Sequence, residues 1–203
     1  MKALNLGMQN NNLSNPDYCE EDKLLLVKCA DGDNLAWQKI IKKYGNLVLN
    51  LCFQFTGNFH IAEDLTQDIF IKVFNNCFIL SKHPNFKRWI IRTTRNRCVD
   101  YYRKNKMNKN IMSIDSNQNR IKNLDTPESK ILLSEKLNQL HQSILQLPIS
   151  LRSLIILRDI NGHSYEDIAK ILRMPIGTVK SRLNRARNEL FKILGTFKYF
   201  NSL

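Results

Sequence analysis

The chain is expected to be all-α, with two small helical domains joined by a flexible linker and a helix-turn-helix in the C-terminal one. Three observations lead there. Apolar residues recur at three- and four-residue steps along most of the sequence, with no sustained alternation. Gly and Pro number only 7 and 5 in 203 residues, too few for the turns of an all-β fold. Between residues 107 and 126 the periodicity gives way to Asn, Ser, Asp and Lys, which reads as a linker. The expected division is a flexible tail over 1–20, a first domain over 21–106, the linker over 107–126, a second domain over 127–195 and a tail over 196–203.

The elements follow in order. Leu24, Leu25 and Val27 lie in a short helix that ends near Asp31-Gly32-Asp33. A longer helix from Asn34 to about Phe55 carries Trp37, Ile40, Ile41, Tyr44, Leu47, Val48 and Leu51 at helical spacing. Thr56-Gly57-Asn58 breaks it. A third helix is expected from about His60 to Phe78, and a fourth from about Phe86 to Lys104 with Phe86, Trp89, Ile90 and Cys98 inward. After the linker, Thr126 is a candidate N-cap with Pro127 at the first helical position. Pro148 opens the next helix, and Asn161-Gly162 closes it.

Apolar residues make up 43% of the chain, enough for a globular core. The net charge of +13 points to a polyanionic partner, either nucleic acid or an anionic membrane surface. The charge is also segregated. From Lys82 to Lys109, ten basic residues face one acid, Asp100, whereas Asn58 to Phe70 hold Glu63, Asp64 and Asp68 and no Lys or Arg. Two surfaces of opposite sign suit two different partners better than one uniformly solvated surface does.

The five cysteines, at 19, 29, 52, 77 and 98, form no Cys-x-x-Cys or Cys/His cluster. They suggest neither a disulfide framework nor a metal site, and read as small buried hydrophobes of a reduced, cytoplasmic protein. The first fifteen residues lack an apolar signal core, and no apolar run is long enough to span a bilayer. No cofactor and no catalytic residue is indicated, so an enzyme is not expected.

The sharpest motif lies between residues 164 and 193. Ser164 is placed to cap a helix with Asp167 three residues on, and Ile168, Ala169, Ile171 and Leu172 form its buried side. A short turn over Arg173 to Gly177 follows. Thr178 is expected to cap a second helix whose inner face is Val179, Leu183, Ala186 and Leu190. The opposite face offers Lys180, Ser181, Arg182, Asn184, Arg185 and Arg187. In a helix-turn-helix this second helix enters the major groove, where Arg pairs with guanine and Asn with adenine. Arg182 and Arg187 flank the face and suit phosphates.

The fourth helix joins charge to aromatics. Arg88, Arg92, Arg95 and Asn96 fall on overlapping turns, with Arg103 and Lys104 near the end, and Phe78, Phe86, Tyr101 and Tyr102 lie close by. Cationic groups track a phosphate backbone, and aromatic faces stack on unpaired bases. The aromatics are equally compatible with a core role, Trp89 above all. In the third helix Glu63, Asp64, Gln67 and Asp68 form an acidic strip suited to docking a basic partner.

Both halves then resemble one family. Ala62-Glu63-Asp64-Leu65-Thr66-Gln67-Asp68-Ile69-Phe70, followed by Phe86 to Arg92 with Asn96, Asp100 and Arg103, resembles the second region of bacterial sigma factors. Leu147-Pro148, Ser164 to Ala169 and Pro175 to Arg187 resemble their fourth region. With only a linker between, the plan is similar to the extracytoplasmic-function (ECF) subgroup. The resemblance implies a transcription initiation factor whose partners are core RNA polymerase and promoter DNA, with an anti-sigma factor as a further partner it admits. It implies polymerase contact through Asp64, Gln67 and Asp68, and minus-ten contact through Arg88, Arg92, Arg95, Asn96 and Arg103. Minus-35 contact would fall to Thr178, Lys180, Ser181, Arg182, Asn184, Arg185 and Arg187. A conventional helix-turn-helix regulator that binds duplex DNA without polymerase is the rival reading. The sequence departs from the family at Thr93, Thr94 and His163. The relaxed span of a 20-residue coil is about 25 Å. That is well short of the roughly 60 Å between the two promoter elements, so a compact or mobile free protein is expected.

Overall fold

The computed structural model describes residues 20–108 and 127–195, with side chains over 20–105 and 136–195. The expected tails, most of the linker and the Thr126 cap lie outside the described residues. Among them every regular element is a helix: α1 (Glu20–Ala30), α2 (Asn34–Thr56), α3 (Phe59–Phe74), α4 (Cys77–Ser81), α5 (Phe86–Asn108), α6 (Pro127–Gln146), α7 (Ile149–Ile155), a π-helical turn (Ile156–Ile160), α8 (Tyr165–Leu172) and α9 (Ile176–Gly195). None of these is long and apolar enough to cross a membrane.

Local chemistry sets the boundaries. Asp33 caps α2 by accepting from the Leu35 and Ala36 amides at 2.8 and 3.2 Å. Gly57, at φ 69°, ends α2 in the left-handed conformation, and Asn58 at once caps α3 through the Ile61 amide. The third helix stops four residues before the expected Phe78. Asn76 turns its side chain back to donate to the Lys72 carbonyl, which diverts the backbone at Asn75-Asn76 and starts the separate short α4. The fourth helix instead runs past Lys104 to Asn108, into the first two linker positions. Ser164 caps α8, its hydroxyl accepting from the Asp167 amide at 3.0 Å and donating to the Asp167 carboxylate at 2.8 Å. The last helix starts at Ile176, so Thr178 lies inside its first turn rather than at its cap.

In the first half, α2 packs against α1, α3 and α5, and α1 against α4. Leu26, Ile40, Phe55, Ala62, Ile69, Val73 and Ile90 are buried at its centre. Thr94, a polar departure in this core, is fully buried and satisfied by donating to the Ile90 carbonyl at 2.8 Å. In the second half, α7 and α8 pack against α9 around Leu154, Ile168, Val179 and Leu183. The two halves are not independent: one hydrophobic cluster runs through both. α5 meets α7 and α8, while α2 meets α6 and the π-helical turn.

Cys29, Cys52, Cys77 and Cys98 are buried free thiols, with Cys52 and Cys98 in contact at 3.9 Å between sulfurs. Burial, reinforced by Cys77, pushes the Cys29 thiol up to about 11, and the contact with Cys52 together with burial raises Cys98 as well. The thiolate is the reactive form. The contact with Cys98 lowers Cys52 instead, so its protection rests on burial; all four thiols are buried and are expected to alkylate only as the domain unfolds. A short maleimide pulse in native buffer, read by peptide mass spectrometry, should leave them unmodified, and rapid labelling of Cys52 or Cys98 would contradict this core. Replacing Ser164 with Ala should cost about 1 kcal/mol through the lost cap, measurable by urea denaturation. An unchanged midpoint would mean that the cap contributes nothing.

Candidate nucleic-acid interface

The outer face of α9 is set by its inner one. Val179, Leu183 and Ala186 are buried, which turns Lys180, Ser181, Arg182, Asn184 and Arg185 to solvent. Thr178 and Arg187 are half-buried. The turn that aims α9 passes through Arg173 at φ 53°, a left-handed residue that is not glycine. Such a residue costs roughly 1–3 kcal/mol. Here the Arg173 amide donates to the Ala169 carbonyl, as does that of Met174 at 3.1 Å.

Arg187 departs from the open cationic face. Its guanidinium holds Asp159 bidentately, with Nε at 3.0 Å, and this raises its pKa further. Asp159 lies in the π-helical turn, so the pair fastens α9 to the preceding element. No spacing pattern announces it, since the two residues are 28 apart.

The α5 residues divide into two groups. Arg88, Arg92 and Arg95 are half-buried, while Asn96 and Arg103 are exposed. Arg92 Nε donates to the Ile171 carbonyl at 2.8 Å, and its Nη2 donates to the Lys170 carbonyl. Arg95 Nε donates to the Ser153 hydroxyl at 3.2 Å and its Nη1 to Asn96 at 3.1 Å. Arg88 lies 3.8 Å from the Asp167 carboxylate. Burial, then the charges of Arg173 and Arg88, lowers the Arg92 pKa. Arg103 pairs loosely with Asp100 at 3.8 Å.

The aromatics are also split. Phe86 is buried and stacks on the half-buried Trp89 at 6.1 Å, so it belongs to the core rather than to an open platform. Tyr102 donates its hydroxyl to the Phe55 carbonyl at 2.8 Å. Phe78, on α4, is 63% exposed, with the Lys82 ammonium 4.0 Å from its ring centre. That leaves an exposed aromatic face beside a cation, the pairing that suits an unstacked base.

On α3, Asp64, Gln67 and Asp68 are exposed as a strip. Asp68 also accepts from Arg97 of α5, Nε at 3.0 Å. Among the described residues no group of His, Cys, Asp and Glu is placed to hold a metal ion.

Sequence reasoning missed Arg152. It is only 4% exposed, and among the described residues no carboxylate pairs with it. Nη1 donates to the Phe55 carbonyl at 2.8 Å and Nη2 to that of Leu147 at 3.2 Å and to that of Leu145, while the guanidinium lies 4.5 Å from the Tyr102 ring centre. In sequence it is one Arg of a leucine-rich helix, and its partner Phe55 is 97 residues away.

Two family models match the chain. The Sigma-70 region 2 model matches residues 40–107, and the Sigma-70, region 4 model matches residues 137–190. The chain is 32% identical over 183 residues to the RNA polymerase sigma-H factor of Pseudomonas aeruginosa, covering 86% of this chain and 94% of that one. It is 31% identical over 182 residues to the ECF RNA polymerase sigma factor SigW of Bacillus subtilis, covering 85% and 96%. Among solved structures, the sigma factor RpoE of Bartonella quintana in complex with the anti-sigma factor NepR superposes with a TM-score of 0.62 at 25% identity, over 79% of this chain and 98% of that one. Two regions matched in this order, and relatives above 30% identity matched along nearly their whole length, make the chain a member of the ECF subgroup of the sigma-70 family of RNA polymerase sigma factors.

Proposed function

We propose that this chain is a transcription initiation factor that binds core RNA polymerase and directs it to specific promoters. The observation that carries the reading is the joint presence of two surfaces. One is an exposed recognition face on α9, and the other is a separate helical half with an acidic strip on α3 and a basic helix α5. A regulator that acts on duplex DNA alone needs only the first.

In this reading residues 127–195 form the minus-35 domain, with Lys180, Ser181, Asn184 and Arg185 toward base edges and Arg182 and Thr178 toward phosphates. Arg187, held by Asp159, acts by positioning α9. Residues 21–106 form the polymerase and minus-ten domain, with residues 107–126 between. Asp64, Gln67 and Asp68 dock the polymerase. Arg88, Arg92, Arg95, Asn96 and Arg103 hold the minus-ten strand, with Phe78 available to stack on a base. The chemistry of initiation belongs to the polymerase.

Run-off transcription from a promoter library, with core polymerase alone and with this protein added, tests the reading. Transcripts that need both components support it. A protein that footprints duplex DNA by itself and elicits no transcript would instead be a conventional regulator. Arg185→Ala should lower affinity for the selected minus-35 duplex by about 1–3 kcal/mol and relax preference at one base. Arg187→Ala should change stability by no more than about 1 kcal/mol, as for an exposed pair, and leave base preference unaltered. Competitive binding to substituted duplexes separates the two.

A further inference from the structure

Two of the buried thiols stand opposite one another between α2 and α5. We propose that Cys52 and Cys98 are a peroxide-sensitive pair: a small hydroperoxide converts them to a disulfide that ties α5 to α2 and weakens the docking strip on α3. The weakening rests on the polymerase-docking role given to that strip above, whereas the oxidation does not.

Placement carries the argument. Cys52 and Cys98 lie 46 residues apart on different helices, both are fully buried, and their sulfurs are 3.9 Å apart. A disulfide bond is about 2 Å long, so closure needs a movement of about 2 Å. The pair is also asymmetric. Its contact with Cys98 lowers the Cys52 thiol against the effect of burial, with Thr66 and the Arg97 charge acting the same way. The same contact, together with burial, raises Cys98. One thiol is the better thiolate, and the other stays protonated beside it. Reduction of a peroxide by two cysteines needs that division into an attacking thiolate and a resolving thiol.

Arg97 also lines a polar, solvent-open groove between α3 and α5, together with Asp68 and Thr93. Solvent therefore reaches the guanidinium whose charge acts on both sulfurs. Hydrogen peroxide is close to water in size, and a maleimide is not. A second pair supplies the contrast. Cys29 of α1 and Cys77 of α4 are in side-chain contact, but both are raised, Cys29 to about 11.

The chemistry balances. The Cys52 thiolate attacks one peroxide oxygen and breaks the O–O bond, which leaves Cys52 as a sulfenic acid. The other oxygen departs with the electron pair and takes up the proton that Cys52 had released, as water or, from an organic hydroperoxide, as an alcohol. The Cys98 sulfur then attacks the sulfenic sulfur. The S–S bond forms, and the departing hydroxide takes the Cys98 proton as a second product water. The two sulfurs lose two electrons and the peroxide gains them.

Closure is not confined to the sulfurs. Both lie in a close-packed core, so they meet only if α5 shifts toward α2. Arg97, next to Cys98, holds Asp68 with Nε at 3.0 Å. The shift therefore pulls on the strip of Asp64, Gln67 and Asp68.

The test uses the full chain with Cys19→Ser, which leaves the four buried thiols. It is exposed to a few equivalents of hydrogen peroxide, denatured in excess N-ethylmaleimide and digested without reductant. A Cys52–Cys98 cross-linked peptide that dithiothreitol cleaves should form at least about tenfold faster than Cys29 and Cys77 are lost, following their thiolate fractions. Absence of that peptide, or its formation only in urea or no faster than loss of the other two thiols, overturns the pair. Cys98→Ala should leave Cys52 as a sulfenic acid that dimedone traps, and a variant that is folded by circular dichroism yet gives no adduct overturns the order of attack. The cross-link is read in the unsubstituted pair, so it stands apart from the folding of the variant. The oxidised chain should bind core polymerase about threefold more weakly, the weight of one exposed ion pair, and recover with dithiothreitol. Cross-linking with unaltered polymerase affinity overturns the switch. A reduced chain that binds no polymerase overturns the docking reading of α3 and leaves the thiol pair standing.

Discussion

The arrangement of the two halves depends on one buried cation. Arg152 lies where the C-terminal ends of α2 and α6 converge, and it is neutralised there by carbonyl dipoles and the face of Tyr102 rather than by a carboxylate. Hydrogen bonds to a charged group contribute about 1.5–3 kcal/mol each, and three carbonyls share this one guanidinium. Without it, those carbonyls would face each other across the seam with no donor between them. Among the described residues its Nε has no hydrogen-bond partner. The requirement for close approach extends to Gly57, whose missing side chain makes room for Leu145.

The same chemistry recurs at Arg92. A chain with 31 basic and 18 acidic side chains cannot give every arginine an acid. Inside the seam it uses helix ends as anions instead. Such partners carry about half a unit charge, so they hold a guanidinium in place without matching a phosphate. Acids fix elements elsewhere, as Asp159 holds α9 through Arg187 and Asp68 meets Arg97 between α3 and α5.

Along α9 the arginines of one pattern meet different surroundings. Arg182 and Arg187 both flank the face in sequence, yet the first is exposed and the second is held by Asp159. What separates them is the π-helical turn, in which the Asn161 amide bonds back to the Ile156 carbonyl. That turn carries Asp159, which meets Arg187, and is capped by Asn161, which meets Gln54.

The sequence alone determined the helical class, the two-part division, the cap at Ser164 and the outward face of α9. Each depends on residues three or four apart, and the helix geometry brings such residues together whatever the rest of the chain does. Its misreadings at Asn75-Asn76 and at Thr178 were also local, because an asparagine side chain or a proline turn can move a boundary by a turn without altering the apolar pattern. Only the tertiary structure decided that Arg88, Arg92 and Arg95 are covered, that Phe86 is core while Phe78 is exposed, and that Arg152 joins the halves. The seam contacts bridge residues 58 to 107 apart, several of them onto backbone carbonyls. A carbonyl is the same at every position of the chain, so no side-chain pattern can announce which one an arginine will find.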